Sequence, residues 1–345
     1  MPLSRARRSY VRIDHCDVQP VGSYGLPMTE GTGFWTGRCV AVTGGAGFLG
    51  KAVVAGLRRH GAEVRVVRSA QYDLRDPRAA RDAVDGVQTV IHLAAKVGGI
   101  GFNRSNPAPL AHDNLLMTTN VFEQSRLAGV SNLVAGCTVC AYPKLAPVPF
   151  RETDLWSGYP EETNAPYGLA KKMMLVLSDA YRRQYDFDSC VPMITNAYGP
   201  GDNFDLQDSH VIPAMIRKLV EARESGQARV TLWGSGEPSR EFIYVDDVAR
   251  ALLLAGERLH TSQPVNVGTG VETRIRDLAE MIKRMTNYEG ELVWDTSQPD
   301  GQPSRRLDVS RGRELLGFEA QMSLEEGLRR TIESFMASRS AVAVA

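Results

Sequence analysis

The chain has 345 residues, 43% of them hydrophobic and 23% charged, and its 40 basic and 40 acidic side chains cancel. That length fits one large α/β domain with a smaller appendage. Zero net charge excludes the long-range field that draws a protein to nucleic acid or an anionic membrane, so an acidic ligand needs a local basic pocket. No apolar run reaches the roughly 18 residues that span a bilayer. The five cysteines (Cys16, Cys39, Cys137, Cys140 and Cys190) are odd in number and scattered, which points to a reducing, cytoplasmic setting rather than a disulfide framework.

In chain order, residues 1–35 come first. They carry Arg5, Arg7, Arg8 and Arg12, but Asp14 and Asp17 follow quickly and no apolar stretch is present, so they read as a flexible arm rather than a targeting peptide. Residues 38–43 (RCVAVT) are a β-branched apolar run, read as a buried strand. A glycine-rich turn at 44–50 leads into a helix over 51–59, and residues 63–67 (EVRVV) give a second strand. This βαβ unit implies a parallel sheet with a right-handed crossover. Strands at 89–94, 132–135 and 189–196 alternate with helices at 114–128 and 167–185, the pattern of a doubly wound Rossmann sheet. After Pro200 loops dominate. Helices at 211–224, 275–285 and 324–336 and strands at 230–233 and 241–245 read as a smaller α/β substrate-binding domain. The expected division is therefore 36–196 for a dinucleotide-binding domain and 197–338 for a substrate domain interleaved with the main sheet, with a frayed tail at 339–345.

Two motifs carry chemistry. Gly44, Gly47 and Gly50 form G-x-x-G-x-x-G between a strand and a helix, with Phe48 and Leu49 inside it. Such glycines let a pyrophosphate approach the backbone at a helix N-terminus. The next strand ends in Arg65 and Arg68 where an NAD-binding chain carries an acid, which selects NADP(H). Asp73, further on, would meet the adenine edge or cap a loop. The second motif is Tyr167-x-x-x-Lys171. Residues four apart share a helix face, and an ammonium beside a phenol is expected to lower a pKa that starts near 10, making Tyr167 an acid/base. Thr138, on the strand that precedes this helix, would supply a neighbouring hydroxyl.

These motifs, with AAKVGGI (94–100), CAYPKLA (140–146), ETNAPYGLAK (162–171), TNAYGPGDNF (195–204), SHVIPA (209–214), WGSGEPSREFIYVDD (233–247) and LDVSR (307–311), resemble the extended short-chain dehydrogenase/reductases over about residues 36–335. Within that family they are most similar to the GDP-L-fucose synthases, the GDP-4-keto-6-deoxy-mannose 3,5-epimerase-reductases. The resemblance implies a GDP-sugar substrate, NADP(H) and a homodimer. It implies Tyr167 and Lys171 as the catalytic pair, and Cys140 and His210 as the epimerisation acid/base pair. Asn196, Lys218, Trp233, Arg240 and Arg305 would hold the nucleotide diphosphate, guanine or sugar. Two departures stand out: Thr138 replaces a serine, its methyl narrowing the pocket, and Val139 replaces a second small polar residue beside the hydride-transfer site.

Other readings compete. Cys140 could be a core filler, and His210 could simply cap the following helix. Cys137-x-x-Cys140 lacks the second cysteine pair or the nearby histidine of a zinc set, so no metal site is expected. A redox-neutral GDP-sugar isomerase, either an epimerase or a pyranose–furanose mutase, could use the same scaffold. Only that alternative would call on a divalent metal to steady the diphosphate. A non-catalytic dinucleotide sensor is disfavoured by the intact Tyr167, Lys171, Cys140 and His210.

Overall fold

The computed structural model describes residues 33–298 and 300–344, so nearly all of the expected N-terminal arm lies outside the described residues. A five-stranded sheet runs in the spatial order Glu63–Val67, Cys39–Thr43, Thr89–His92, Asn132–Ala135, Ser189–Cys190, every pair parallel. From Cys39–Thr43 the chain moves to one side for the second strand and to the other for the third. That reversal is the switch point at which doubly wound sheets bind ligands. Two strands resume after a one-residue break, as Cys137–Thr138 and Pro192–Ile194, and pair there with each other and with Val265–Val267.

The central strands are buried along their length, so they read as unbroken apolar runs rather than alternating ones. One face packs on the helices Pro77–Val84, Pro107–Leu127 and Ala165–Tyr185 through Val121, Phe122, Met174 and Leu175. The other packs on Phe48–Arg59 and Val245–Arg258 through Val53, Leu57, Leu252 and Ala255. Burying one such leucine contributes roughly 1.5–3 kcal/mol.

A third core sits beside the helix Val211–Glu224, the helix Ile275–Met285 and the parallel pair Arg229–Trp233 with Glu291–Asp295. The strand Ser239–Tyr244 lies between Asn196–Tyr198 and Glu272–Arg274. The last helix runs Leu324–Val344. Arg339 reaches Glu221 and Glu224, so the chain is still anchored where fraying was expected to begin. Among the described residues no helix is long and apolar enough to cross a membrane.

Candidate active site

The glycine turn closes onto itself. A methyl group at Gly50 would sit 2.1 Å from the Gly44 carbonyl oxygen, so only glycine lets this helix start against the turn. The helix begins at Phe48, three residues earlier than the periodicity indicated, with Gly47 at its cap. No side chain caps that N-terminus, no acid lies in its first turn, and Arg58 and Arg59 stand in its last turn. The free N–H groups and the positive end of the helix dipole therefore face the switch point. Phe48 and Leu49 point into the apolar cores and act through packing.

The two arginines of the second strand separate. Arg65 donates to the carbonyls of Ala83 and Asp85 at the end of the neighbouring helix, so its Nη1 closes that helix instead of facing a ligand. Arg68 is exposed at the strand end, and among the described residues its guanidinium has no hydrogen bond or ion pair. Asp73 takes the Arg75 fork and the Arg75 N–H, which makes it a loop cap.

The helix Ala165–Tyr185, which carries Tyr167 and Lys171, is pressed against the loop that carries Cys140. A methyl at Gly168 would stand 2.3 Å from the Cys140 carbonyl oxygen. Cys137 donates its thiol to the Lys171 carbonyl. Thr138 accepts the Cys140 N–H at 3.2 Å, which starts the short 3-10 turn Val139–Ala141 and leaves the hydroxyl proton free to donate. Val139 is buried in the sheet-side core, so it does not line the pocket as its neighbour Thr138 was expected to do with it.

The expected effect of Lys171 on Tyr167 does not hold. Tyr167 and Lys171 are both buried, and burial dominates. It pushes the phenol above its usual range, with the neighbouring cysteines acting in the same direction, and pulls Lys171 down to about 8. Tyr167 thus stays protonated at neutral pH, and among the described residues its hydroxyl has no hydrogen bond within the chain.

His210 stands at the cap position of Val211–Glu224 yet makes no side-chain cap bond, so the capping alternative fails. Its residue keeps solvent access, while the crowded walls around the ring push its pKa down and favour neutral imidazole. The preceding loop is fixed by the Gly99 N–H donating to the Asp208 carbonyl at 2.9 Å. Asn103, on the same strap, donates to Asn164 at the start of the catalytic helix.

On the far wall Arg305 is buried, and its Nη1 lies 3.5 Å from the Cys140 sulfur. Arg240 is close enough to Arg305 that burial, followed by that second cation, lowers it to about 10. Two guanidiniums held this way want an anion between them. Asn196 donates to the Glu241 carbonyl, and Lys218 donates to the Thr231 carbonyl. Trp233 ends its strand with a largely exposed ring.

Several functional groups escaped sequence reasoning. Thr43 binds the buried His92 ring at 2.7 Å and accepts the N–H groups of Leu93 and Ala94, shaping the loop beside the glycine turn. Burial, then Lys171, keeps His92 neutral. Glu241 is fully buried and accepts the N–H groups of Thr269, Gly270 and Leu307, tying the Arg305 segment to the sheet. A charged residue within an apolar strand was the available signal. Among the described residues no cluster of three or more His, Cys, Asp or Glu is placed to hold a metal.

Residues 40–268 match the NAD dependent epimerase/dehydratase family. The chain belongs to that family. It is 40% identical over 309 residues to the GDP-L-fucose synthase of Escherichia coli K12, covering 86% of this chain and 96% of that one. Among solved structures, a GDP-L-fucose synthetase from Naegleria fowleri bound to NADP superposes with a TM-score of 0.80 at 28% identity, covering 88% and 96%. A GDP-6-OMe-4-keto-L-xylo-heptose reductase from Campylobacter jejuni gives a TM-score of 0.83 at 25% identity, covering 88% and 98%.

Proposed function

We propose that this family member acts on a GDP-linked 4-keto-6-deoxy hexose, inverting the sugar at C3 and C5 and reducing it at C4 with NADPH. The observation that carries the proposal is the convergence of Tyr167, Lys171, Arg240 and Arg305 around Cys137 and Cys140. The relatives acting on GDP-4-keto sugars support the same substrate class. The uncapped helix behind Gly47, the tight Gly44–Gly50 turn and the free Arg68 fit a dinucleotide with a 2′-phosphate. NADPH, when bound, supplies the hydride for C4.

The chain's own residues do the rest. A 4-keto group makes the C3 and C5 hydrogens acidic. One of Cys140 and His210 withdraws a proton to give an enolate, and the other returns a proton on the opposite face. Thr138 has a hydroxyl proton to orient the carbonyl, and Tyr167 delivers its proton to O4 as that oxygen gains charge. The Lys171 ammonium lies along the same helix face. Arg240 and Arg305 attract the anionic part of the substrate, while Asn196, Lys218 and Trp233 line the approach on the C-terminal side. We read residues 36–196 as the cofactor-binding part and 197–338 as the substrate part. The free thiols of Cys39, Cys137, Cys140 and Cys190 suit a reducing cytoplasm. Exposed Leu115, Leu116, Met173 and Val176 on two packed helices suit a homodimer.

Replacement of the acid/base pair tests the assignment. Cys140→Ser and His210→Asn should each abolish incorporation of solvent deuterium into the sugar, read by NMR, while an already epimerised 4-keto sugar is still reduced. Unchanged incorporation in both variants would return these residues to a structural role.

A further inference from the structure

Arg305 does not find its own place at Cys140. Its guanidinium is turned by Gln302, a residue buried to 4% exposure, whose amide oxygen accepts Nε at 3.2 Å and Nη2 at 3.0 Å. The amide nitrogen of Gln302 donates to the Lys144 carbonyl at 2.9 Å, four residues after Cys140. One side chain therefore joins the segment bearing Arg305 to the loop bearing Cys140, although the two lie 165 positions apart. With Nε and Nη2 engaged, the edge of Arg305 most open to a two-pronged contact is occupied. The Nη1 end is directed at the Cys140 sulfur. The backbone of Arg305 is fixed as well, its N–H donating to Glu272 and its carbonyl accepting the Glu241 N–H.

We propose that Gln302 is a positioning residue of this active site: it clamps Arg305 so that the guanidinium faces the Cys140 sulfur and the sugar end of the cleft, where negative charge develops during proton transfer. A cation held there attracts charge on the sulfur or on the substrate enolate. A cation free to swing would pair elsewhere with the anionic substrate, and the effect at sulfur would be lost. This assignment rests on the reading of Cys140 as an acid/base group, but its geometric core is a statement about the thiol alone.

Alkylation of the full-length protein by iodoacetamide at pH 7, with the modified cysteine identified by mass spectrometry, tests that core without any sugar. A thiol beside a fixed cation reacts faster, so Arg305→Met should slow modification of Cys140 about tenfold and Gln302→Met about fivefold. Because Gln302 acts through Arg305, the double variant should be no slower than Arg305→Met, the non-additivity expected of coupled residues. Cys39, on a distant strand, serves as the internal reference. Gln302→Asn, whose amide stops one methylene short of the guanidinium, carries the same expectation should the methionine variant fold poorly. Modification of Cys140 that stays within twofold of wild type or accelerates in the Gln302 variants, or effects that multiply in the double variant, would overturn the proposal. The deuterium experiment on Cys140→Ser fails separately if the acid/base reading is wrong.

Discussion

At the scale of single residues, partners separate groups that look alike in sequence. Arg65 lies within the second strand and Arg68 just beyond it; Arg65 closes a neighbouring helix, and Arg68 has no side-chain partner among the described residues. Arg68→Ala should weaken NADPH binding about tenfold relative to NADH, the loss of one charge-assisted contact. Arg65→Ala should lower the melting temperature and leave that preference alone. Calorimetry with both cofactors checks this, and a preference unmoved by Arg68→Ala would sink the role. Asp202, in the loop leading to His210, is pushed up to about 7 by burial, and its Oδ2 has no hydrogen-bond partner among the described residues. Its ordinary value is 3.8, so between that pH and about 7 the folded chain holds a proton that the unfolded chain releases. Stability from this group is complete below the unfolded value and is lost as pH rises through the folded one. Asp202→Asn should therefore be more stable than wild type by an amount that grows with pH, from about 1–2 kcal/mol at pH 5 to about 4 kcal/mol at pH 8. Equal melting at both values would show that the carboxyl is not held neutral. Neither Arg65's engagement nor Asp202's burial could be read from the sequence, because both depend on what faces the side chain.

At the scale of elements, the sheet and its crossovers were legible because apolar runs, glycine turns and helical periodicity are local signals. The helices Val211–Glu224 and Ile275–Met285 begin and end where their patterns do. Less legible were Pro77–Val84, short and arginine-rich, and Val245–Arg258, which is apolar on nearly every side because it lies between the sheet and another helix. The strand expected over 189–196 breaks into three pieces as it passes from one partner to the next. The contact that matters most is the press of the catalytic helix on the Cys140 loop at Gly168. Gly168→Ala places a methyl where the Cys140 carbonyl lies, so the elements must part. We expect a loss of about 1–3 kcal/mol in stability from the overpacking. Proton exchange should fall at least about tenfold, since Cys140 and Tyr167 no longer share one geometry. Full activity with wild-type melting would show that the contact is not needed.

At the scale of the molecule, the cleft is assembled from distant parts of the chain. The Cys140 loop, the helix Ala165–Tyr185 and the Arg305 segment meet, and Glu241 ties the Arg305 segment to the sheet. No periodicity reveals that Arg305 reaches Cys140. The family resemblance pointed to both residues, and the fold supplies the contact. A buried, protonated Tyr167 suits both reduction and a redox-neutral isomerisation, so the two readings part on whether NADPH is consumed. The most direct measurement is incubation of the wild-type protein with GDP-4-keto-6-deoxy-mannose and NADPH in deuterated water, following the reduced-nicotinamide absorbance together with NMR of the sugar. The account predicts one NADPH oxidised per sugar, with deuterium at C3 and C5 of the product. A new GDP-hexose isomer of unchanged mass, formed from a GDP-hexose without NADPH while the 4-keto sugar is left unreduced, would contradict it.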